Sequence, residues 1–555
     1  MFKGHPKGLY VAFFANMGER FGYYTMLAIF VLYLQSKFGW SATQAGHVYG
    51  GFLFGIYFLP LLGGYLADNV FGYGKTIVLG IVVMFIGYIM LAMPGTGEWF
   101  IYGALAVISL GTGLFKGNLQ ALVGNLYDEA KYDKLRDSAF NIFYMGINIG
   151  AFFAPSAARG MRSWVMNIKG LDYQAAIPDL AHKYLKGTLE STAQLEQFAK
   201  AQMGSSYTNL TDFSHYYIKS LSDAYNSGFA IAAVSMVLSL VIFLVFRKYY
   251  KHADVTHKQQ KAEKSESLVV LTPKQTKDRL VALGLVFIVV MFFWMAFHQN
   301  GFTLTIFARD YTVSAVGKGT AIIFNLSTFL PVLLTILGVV LLVGKGNSVK
   351  TRLIGAIVAF VSAVAAYYTI SQLQPEGNPI SPEIFQQFNP IFIVFLTPVI
   401  IGYFAYLRKR NREPSSPKKI GIGMIITALG FTIMVLASRG LISPHDLAEQ
   451  GGVYDTLRSH YWLIGTYFTL TIAELFLSPI GISFVSKVAP PQYKGLAQGG
   501  WLGATAIGNL MAGLIGPFWD KWELWQFFIL LVALTLLSAI FIFSILKLLE
   551  RAVNS

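Results

Sequence analysis

The chain contains no cysteine, which excludes disulfides, thiol nucleophiles and cysteine metal sites. Charge is scarce too, at 13% of 555 residues. No HExxH pattern, clustered acids or phosphate-binding glycine loop occurs, so neither a resident metal nor ATP chemistry is expected, and no cofactor is implied. Hydrophobic residues make up 55% of the chain, and mean hydropathy is +0.54. Runs of about 20 apolar residues, the length that crosses a ~30 Å hydrocarbon layer, recur almost throughout. This composition predicts an all-α membrane protein embedded in a lipid bilayer. The net charge of +15 would suggest nucleic acid in a soluble chain. Here it predicts basic loops held on the cytoplasmic side, and no nucleic-acid partner.

The first apolar segment has a short basic start (Lys3, Lys7) with no small-residue cleavage site after it, and reads as a retained helix. About 14 spans are expected. The first group lies near 9–35, 47–67, 76–94, 99–124, 138–156 and 225–246. The second lies near 280–307, 319–343, 353–371, 385–406, 420–437, 461–485, 495–517 and 525–547. This gives an N-terminal six-helix bundle over 1–246 and a C-terminal part over 280–555. Between them, 247–279 carries nine Lys or Arg against four acids and reads as a solvated cytoplasmic linker. The basic turns "GKGNSVKTR" and "LRKRNREPSSPKK" then fall on the same side, and both termini are expected in the cytoplasm. Residues 159–224 form one long outward loop, in which "STAQLEQFAKAQM" predicts a short amphipathic helix. Two helical groups about a basic linker suggest a carrier with a binding site at mid-membrane.

Several polar residues stand where lipid should forbid them. In "NMGERFGYY", Arg20 lies ten residues beyond Tyr10, ~15 Å deep. Asn16, Glu19, Arg20, Tyr23 and Tyr24 recur at helical spacings and form one polar face. An intramembrane ion marks function by default; the competing reading is a buried pair locking two helices together. Lys116, in "GTGLFKGNLQALVGNLYD", either snorkels to the surface or faces a cavity. Glu474, in "TLTIAELFLSPIGISF", is a midplane carboxylate with no basic residue near it in sequence. Asn148 serves either a helix–helix hydrogen bond or a site. His298, in "FFWMAFHQNGFTL", is either a hydrogen-bonded core residue or a group that titrates near neutrality. Arg and Lys in one half and Glu in the other suit a zwitterion with a compact body, of which short peptides are the plainest example. The tyrosines and Trp501 would line the wall.

"ERFGYY", "YFLPLLGGYLADNVFG", "GTGLFKGNLQALVGNLYD", "FYMGINIGAFFAP", "FNPIFIVFLTP" and "AELFLSPIGISFVSKVAP" together resemble the proton-dependent oligopeptide transporter family. The likeness covers most of the chain outside 159–224, 250–275 and 310–375. It implies the major facilitator fold, with two six-helix bundles plus two extra helices. It also implies import of di- and tripeptides with protons across the cytoplasmic membrane of a bacterium, by a single chain and without enzymatic chemistry. Arg20 and Lys116 would hold the peptide carboxylate and Glu474 its amino group. Tyr23, Tyr24, Tyr57, Asn148, Asn389, Ser478 and Trp501 would line the cavity. Glu19 matches the second acid of the family's E-x-x-E-R motif, which pairs with the lysine of the fourth helix. "GGYLADNVFGYGK" resembles the loop that braces the inner gate.

The departures concern proton coupling. Asn16 replaces the first acid of that motif, and His298 stands where the family usually has an acid. Glu19, His298 and Glu474 remain as titratable candidates, with Asn16 as a gating position. The extra helices fall not in the linker but at about 319–371, as a hairpin expected to face lipid. Alternatives left open are an uncoupled peptide facilitator or exchanger, and a carrier of another small anion. A sensor and a membrane enzyme are disfavoured for want of signalling domains and of a nucleophile–base set.

Overall fold

Backbone polar groups in a sequence this apolar are best satisfied internally, and helices do this within one segment. The computed structural model describes residues 4–128, 131–132, 135–254, 272–344, 346–449, 454, 456–490 and 493–554. The N-terminal helices are α1 (Lys7–Phe38), α2 (Ala42–Phe58), α3 (Pro60–Leu66), α4 (Tyr73–Ala92), α5 (Glu98–Asn125), α6 (Arg136–Ile168), α7 (Ile177–Leu185), α8 (Ala193–Met203) and α9 (Leu210–Val245). After the linker come α10 (Pro273–Phe297), α11 (Thr303–Asp310), α12 (Lys318–Phe324), α13 (Leu326–Val343), α14 (Val349–Ser371), α15 (Phe388–Lys409) and α16 (Ser416–Ser438). The remaining helices are α17 (Pro444–Glu449), α18 (Tyr461–Val488), α19 (Lys494–Leu514), α20 (Gly516–Lys521), α21 (Leu524–Ser544) and α22 (Leu546–Asn554). Local signals fix several starts: Ser41 with Gln44 and Thr272 with Gln275 close capping boxes on α2 and α10, satisfying donors that a helix leaves bare.

Among the described residues, 12 helical segments are long and apolar enough to cross a membrane. The other two expected spans are α1 and α6, of 32 and 33 residues; polar residues keep them outside that count. Helix α1 packs on α6 and α9, and α4 on α5 and α9. In the second group α16 packs on α18 and α21, and α10 on α19.

Three boundaries differ from expectation. Helix α6 passes through Pro155 to Ile168, and α9 begins at Leu210, so much of the expected 159–224 loop is helix. Asn209 caps α9 by accepting from the Asp212 amide, and Lys169 pairs with Asp223 at 2.6 Å, tying the extensions together. The amphipathic segment forms α8. At the start of the linker Arg247, Lys248, Lys251 and His252 are exposed, but Tyr250 stacks on Phe243 at 4.4 Å, and Asp254 accepts from the Gly74 amide at 2.7 Å, against the positive end of α4. Most of the linker, 255–271, lies outside the described residues.

Helices α13 and α14 form the expected hairpin, with only 11% and 17% of their apolar windows buried. They touch where Gly338 meets Gly355: a Cβ on Gly338 would lie 2.4 Å from the Ala359 amide nitrogen, so only glycine permits that approach. A two-residue antiparallel ribbon closes the hairpin's base, β1 (Ala315–Val316) against β2 (Asn378–Pro379).

Polar contacts between α1–α9 and the later helices gather at the end bearing α7 and α8. Arg162 pairs with Glu383 at 2.6 Å, Thr43 donates to Asp520, Ser156 to Gln387 and Arg309 to Gln35. At the same end α2 and α19 meet backbone to backbone; a Cβ on Gly513 would lie 2.0 Å from the Gly46 carbonyl oxygen.

Candidate functional site

Helix α1 carries the buried charges seen in the sequence. Both Glu19 oxygens accept from Arg20, at 2.5 and 2.6 Å, and the side chains are 0% and 4% exposed. The fork neutralises both ions in a setting where either alone would be costly. Arg20 also lies 4.8 Å from the centre of the Tyr23 ring, and Tyr23 meets Tyr24 edge-on.

Lys116, on α5, sits 3.7 Å from the Tyr57 ring centre and forms no ion pair among the described residues. This differs from the pairing that the resemblance implies, because Glu19 spends both oxygens on Arg20. Across the interior, Glu474 on α18 accepts from Asn389 at 2.9 Å and likewise has no ionic partner among the described residues. Asn389, in the first turn of α15, also donates to Thr471 at 3.1 Å. Tyr24 and Tyr57 lie within electrostatic reach of both Arg20 and Glu474. The two poles therefore share one aromatic wall. Tyr24, Tyr57, Lys116, Asn389 and Ser478 are all half-buried, as lining residues of an opening should be; Ser478 stands one helical turn beyond Glu474.

His298 lies where the seventh span breaks into a short 3-10 turn, His298–Gly301. The break exposes carbonyls that regular helix would use. The His298 carbonyl accepts from Tyr49 at 3.3 Å, and that of Asn300 from Tyr467 at 2.8 Å. The imidazole stacks on Trp294 at 5.5 Å and meets Tyr57 at 6.4 Å. Its buried Nε2 has no hydrogen-bond partner among the described residues, and Lys116 is its charged neighbour. His298 thus belongs to the Lys116–Tyr57 wall.

Other sequence-chosen residues are held by local contacts. Asn16 donates to the Phe143 carbonyl at 3.5 Å, tying α1 to α6. Asn148 donates to Tyr144 in its own helix at 3.1 Å. Trp501 is 4% exposed and jammed against Gly481, where a Cβ would come within 2.1 Å of its ring. Tyr144 was missed: it is 43% exposed and shares its surroundings with Glu474, Tyr24 and Tyr57. Its position four residues before Asn148, on the same helix face, is the signal that could have found it.

Known proteins place this architecture. A family model described as the POT family matches residues 74–277 and 359–527. The chain belongs to the POT family. It is 29% identical over 539 residues to the uncharacterized transporter YclF of Bacillus subtilis strain 168, covering 92% of this chain and 89% of that one. To the peptide transporter YePEPT of Yersinia enterocolitica it is 27% identical, covering 93% and 88%. To dipeptide and tripeptide permease A of Escherichia coli K12 it is 24% identical, covering 92% and 84%. The crystal structure of a peptide transporter POT in complex with sulfate superposes with a TM-score of 0.67 at 23% identity, over 100% of this chain and 97% of that one. A POT family transporter in complex with 5-aminolevulinic acid gives 0.66 at 20%, over 98% and 97%. The fold is the major facilitator type, and this POT-family chain is a multi-pass membrane transporter protein rather than an enzyme.

Proposed function

We propose that the chain imports di- and tripeptides across the cytoplasmic membrane of a bacterium, with both termini in the cytoplasm and a single chain as the transport unit. Residues 1–246 and 280–555 are the two bundles that rock about the site, joined by the 247–279 linker. One observation carries the reading: Lys116, half-buried on α5, and Glu474, buried on α18, each lack an ionic partner among the described residues. An unpaired charge at mid-membrane is costly, and a zwitterion brings the opposite charge to both places at once. The peptide carboxylate would meet Lys116 and Arg20, and the amino group Glu474 beside Asn389. Tyr23, Tyr24, Tyr57, Asn148, Ser478 and Trp501 supply the surrounding wall. A pure anion has no use for the Glu474 carboxylate. The names of the Yersinia and Escherichia relatives support a peptide cargo.

In this reading the proton gradient drives accumulation through Glu19, His298 and Glu474. A second reading, facilitated exchange without protons, draws on Asn16, an amide that cannot titrate and is engaged with Phe143. Uptake of labelled dialanine into proteoliposomes, with and without an inward proton gradient, separates the two. Gradient-driven accumulation supports symport, and equilibration without accumulation supports exchange. Glu474→Gln is expected to lose uptake; unchanged uptake in that variant, or none in the parent, sinks the peptide reading.

A further inference from the structure

Beside the hairpin, the surface opens into a crevice of about 570 Å³ whose lining includes Phe21, Phe153, Ala157, Arg159, Asn325 and Leu326. Its floor is apolar and lies level with the middles of α1 and α6, where Gly150 touches the Phe21 backbone. Leu326, the first residue of the α13 span, also lines the crevice. Arg159 stands six residues beyond Phe153, ~9 Å further along α6. The crevice therefore climbs from the bilayer's interior towards its interface, apolar below and cationic above.

Arg159 donates to the carbonyls of Phe324 and Pro379, at 3.4 and 3.1 Å. Carbonyls hold a guanidinium in place without cancelling its charge. Its charged neighbours are Glu383 and Arg162, and those two pair with each other. Two cations and one carboxylate leave a net charge of one, on the arginine that lines the crevice. The walls come from both helical groups: Phe153, Ala157 and Arg159 from α6, Asn325 and Leu326 from the start of α13.

We propose that this crevice seats an anionic phospholipid, with its phosphate at Arg159 and one acyl chain against Phe21, Phe153 and Leu326. Basic pockets between spans take anionic headgroups by this combination of charge and depth. Because both groups build the crevice while the α7–α8 end is closed, a bound lipid favours that closed arrangement over one in which the walls part.

The test is native mass spectrometry of the full chain in detergent, titrated with dioleoyl phosphatidylglycerol, dioleoyl phosphatidylcholine or glycerol phosphate. It does not depend on peptide transport. The parent chain is expected to retain one phosphatidylglycerol in preference to phosphatidylcholine, and glycerol phosphate not at all. Arg159→Gln should weaken retention by about tenfold, the scale of one charge-assisted hydrogen bond. Ala157→Trp, which fills the crevice without changing charge, should weaken it as well. Arg352→Gln, at an exposed position on the far end of the hairpin, should leave it unchanged. Equal retention of the two lipids, binding of glycerol phosphate as tight as that of lipid, or parental retention in either crevice variant overturns the proposal.

Discussion

Arg162 and Glu383 form an ion pair across the two helical groups, 2.6 Å apart and only 1% and 0% exposed. Arg162 also donates to Ser381 at 3.1 Å and lies 3.7 Å from the Tyr173 ring centre. Removing one partner strands the other, at a cost of about 3–5 kcal/mol to whichever state encloses it. Glu383→Gln should therefore lower the melting temperature in detergent. A double Arg162→Met, Glu383→Met variant should recover most of the loss. No recovery would mean that the pair's environment, not its charge balance, sets the cost.

Glu474→Gln should weaken competition by dialanine about tenfold to a hundredfold, the range for losing a charge-assisted contact or two. N-acetyl dialanine, which has no ammonium group, should compete equally against the parent and the variant. A matching loss for both ligands would make Glu474 a structural residue rather than the receptor of the amino group.

The fork between Glu19 and Arg20 predicts strong coupling. Glu19→Gln and Arg20→Gln should each destabilise by a few kcal/mol, since each leaves a buried ion or a disrupted fork. The double variant should cost less than the sum. Additive losses in thermal unfolding would count against the pair acting as a unit.

Gly513→Leu tests closure of the α7–α8 end. Its Cβ would fall 2.0 Å from the Gly46 carbonyl, a contact that backbone cannot absorb. The chain's lack of cysteine gives a Thr43→Cys probe a clean background for maleimide labelling. Labelling should rise several-fold in the Gly513→Leu chain, an order-of-magnitude expectation for a shifted two-state equilibrium; unchanged labelling would show that α2 and α19 need not meet.

Glu19, Arg20, Lys116 and Glu474 were legible because charge within apolar runs is conspicuous, and the runs themselves outlined the helices to within a few residues in most places. Arg162 and Glu383 were not, because charge near loops is ordinary. Tyr144 is one of 30 tyrosines, so its identity carried little information without a partner on its helix face. The choice of Arg20 over Lys116 as the partner of Glu19 depends on side-chain geometry that spacing does not encode. The break at His298 follows no strong pattern beyond Gly301, yet it decides which carbonyls Tyr49 and Tyr467 reach.

The β1–β2 ribbon sets Val316 opposite Asn378, and the Lys318 amide donates to the Pro375 carbonyl at 2.9 Å. The chain thus leaves and rejoins its path at nearly one point, with the whole hairpin between. A segment with neighbouring ends is a cassette: it can be cut out and the ends sealed by a tight turn, or exchanged for a reporter domain, with little disturbance to Glu383 and α15 downstream. The same geometry makes this junction a place where a lineage can acquire or discard a pair of membrane-crossing helices in a single genetic event.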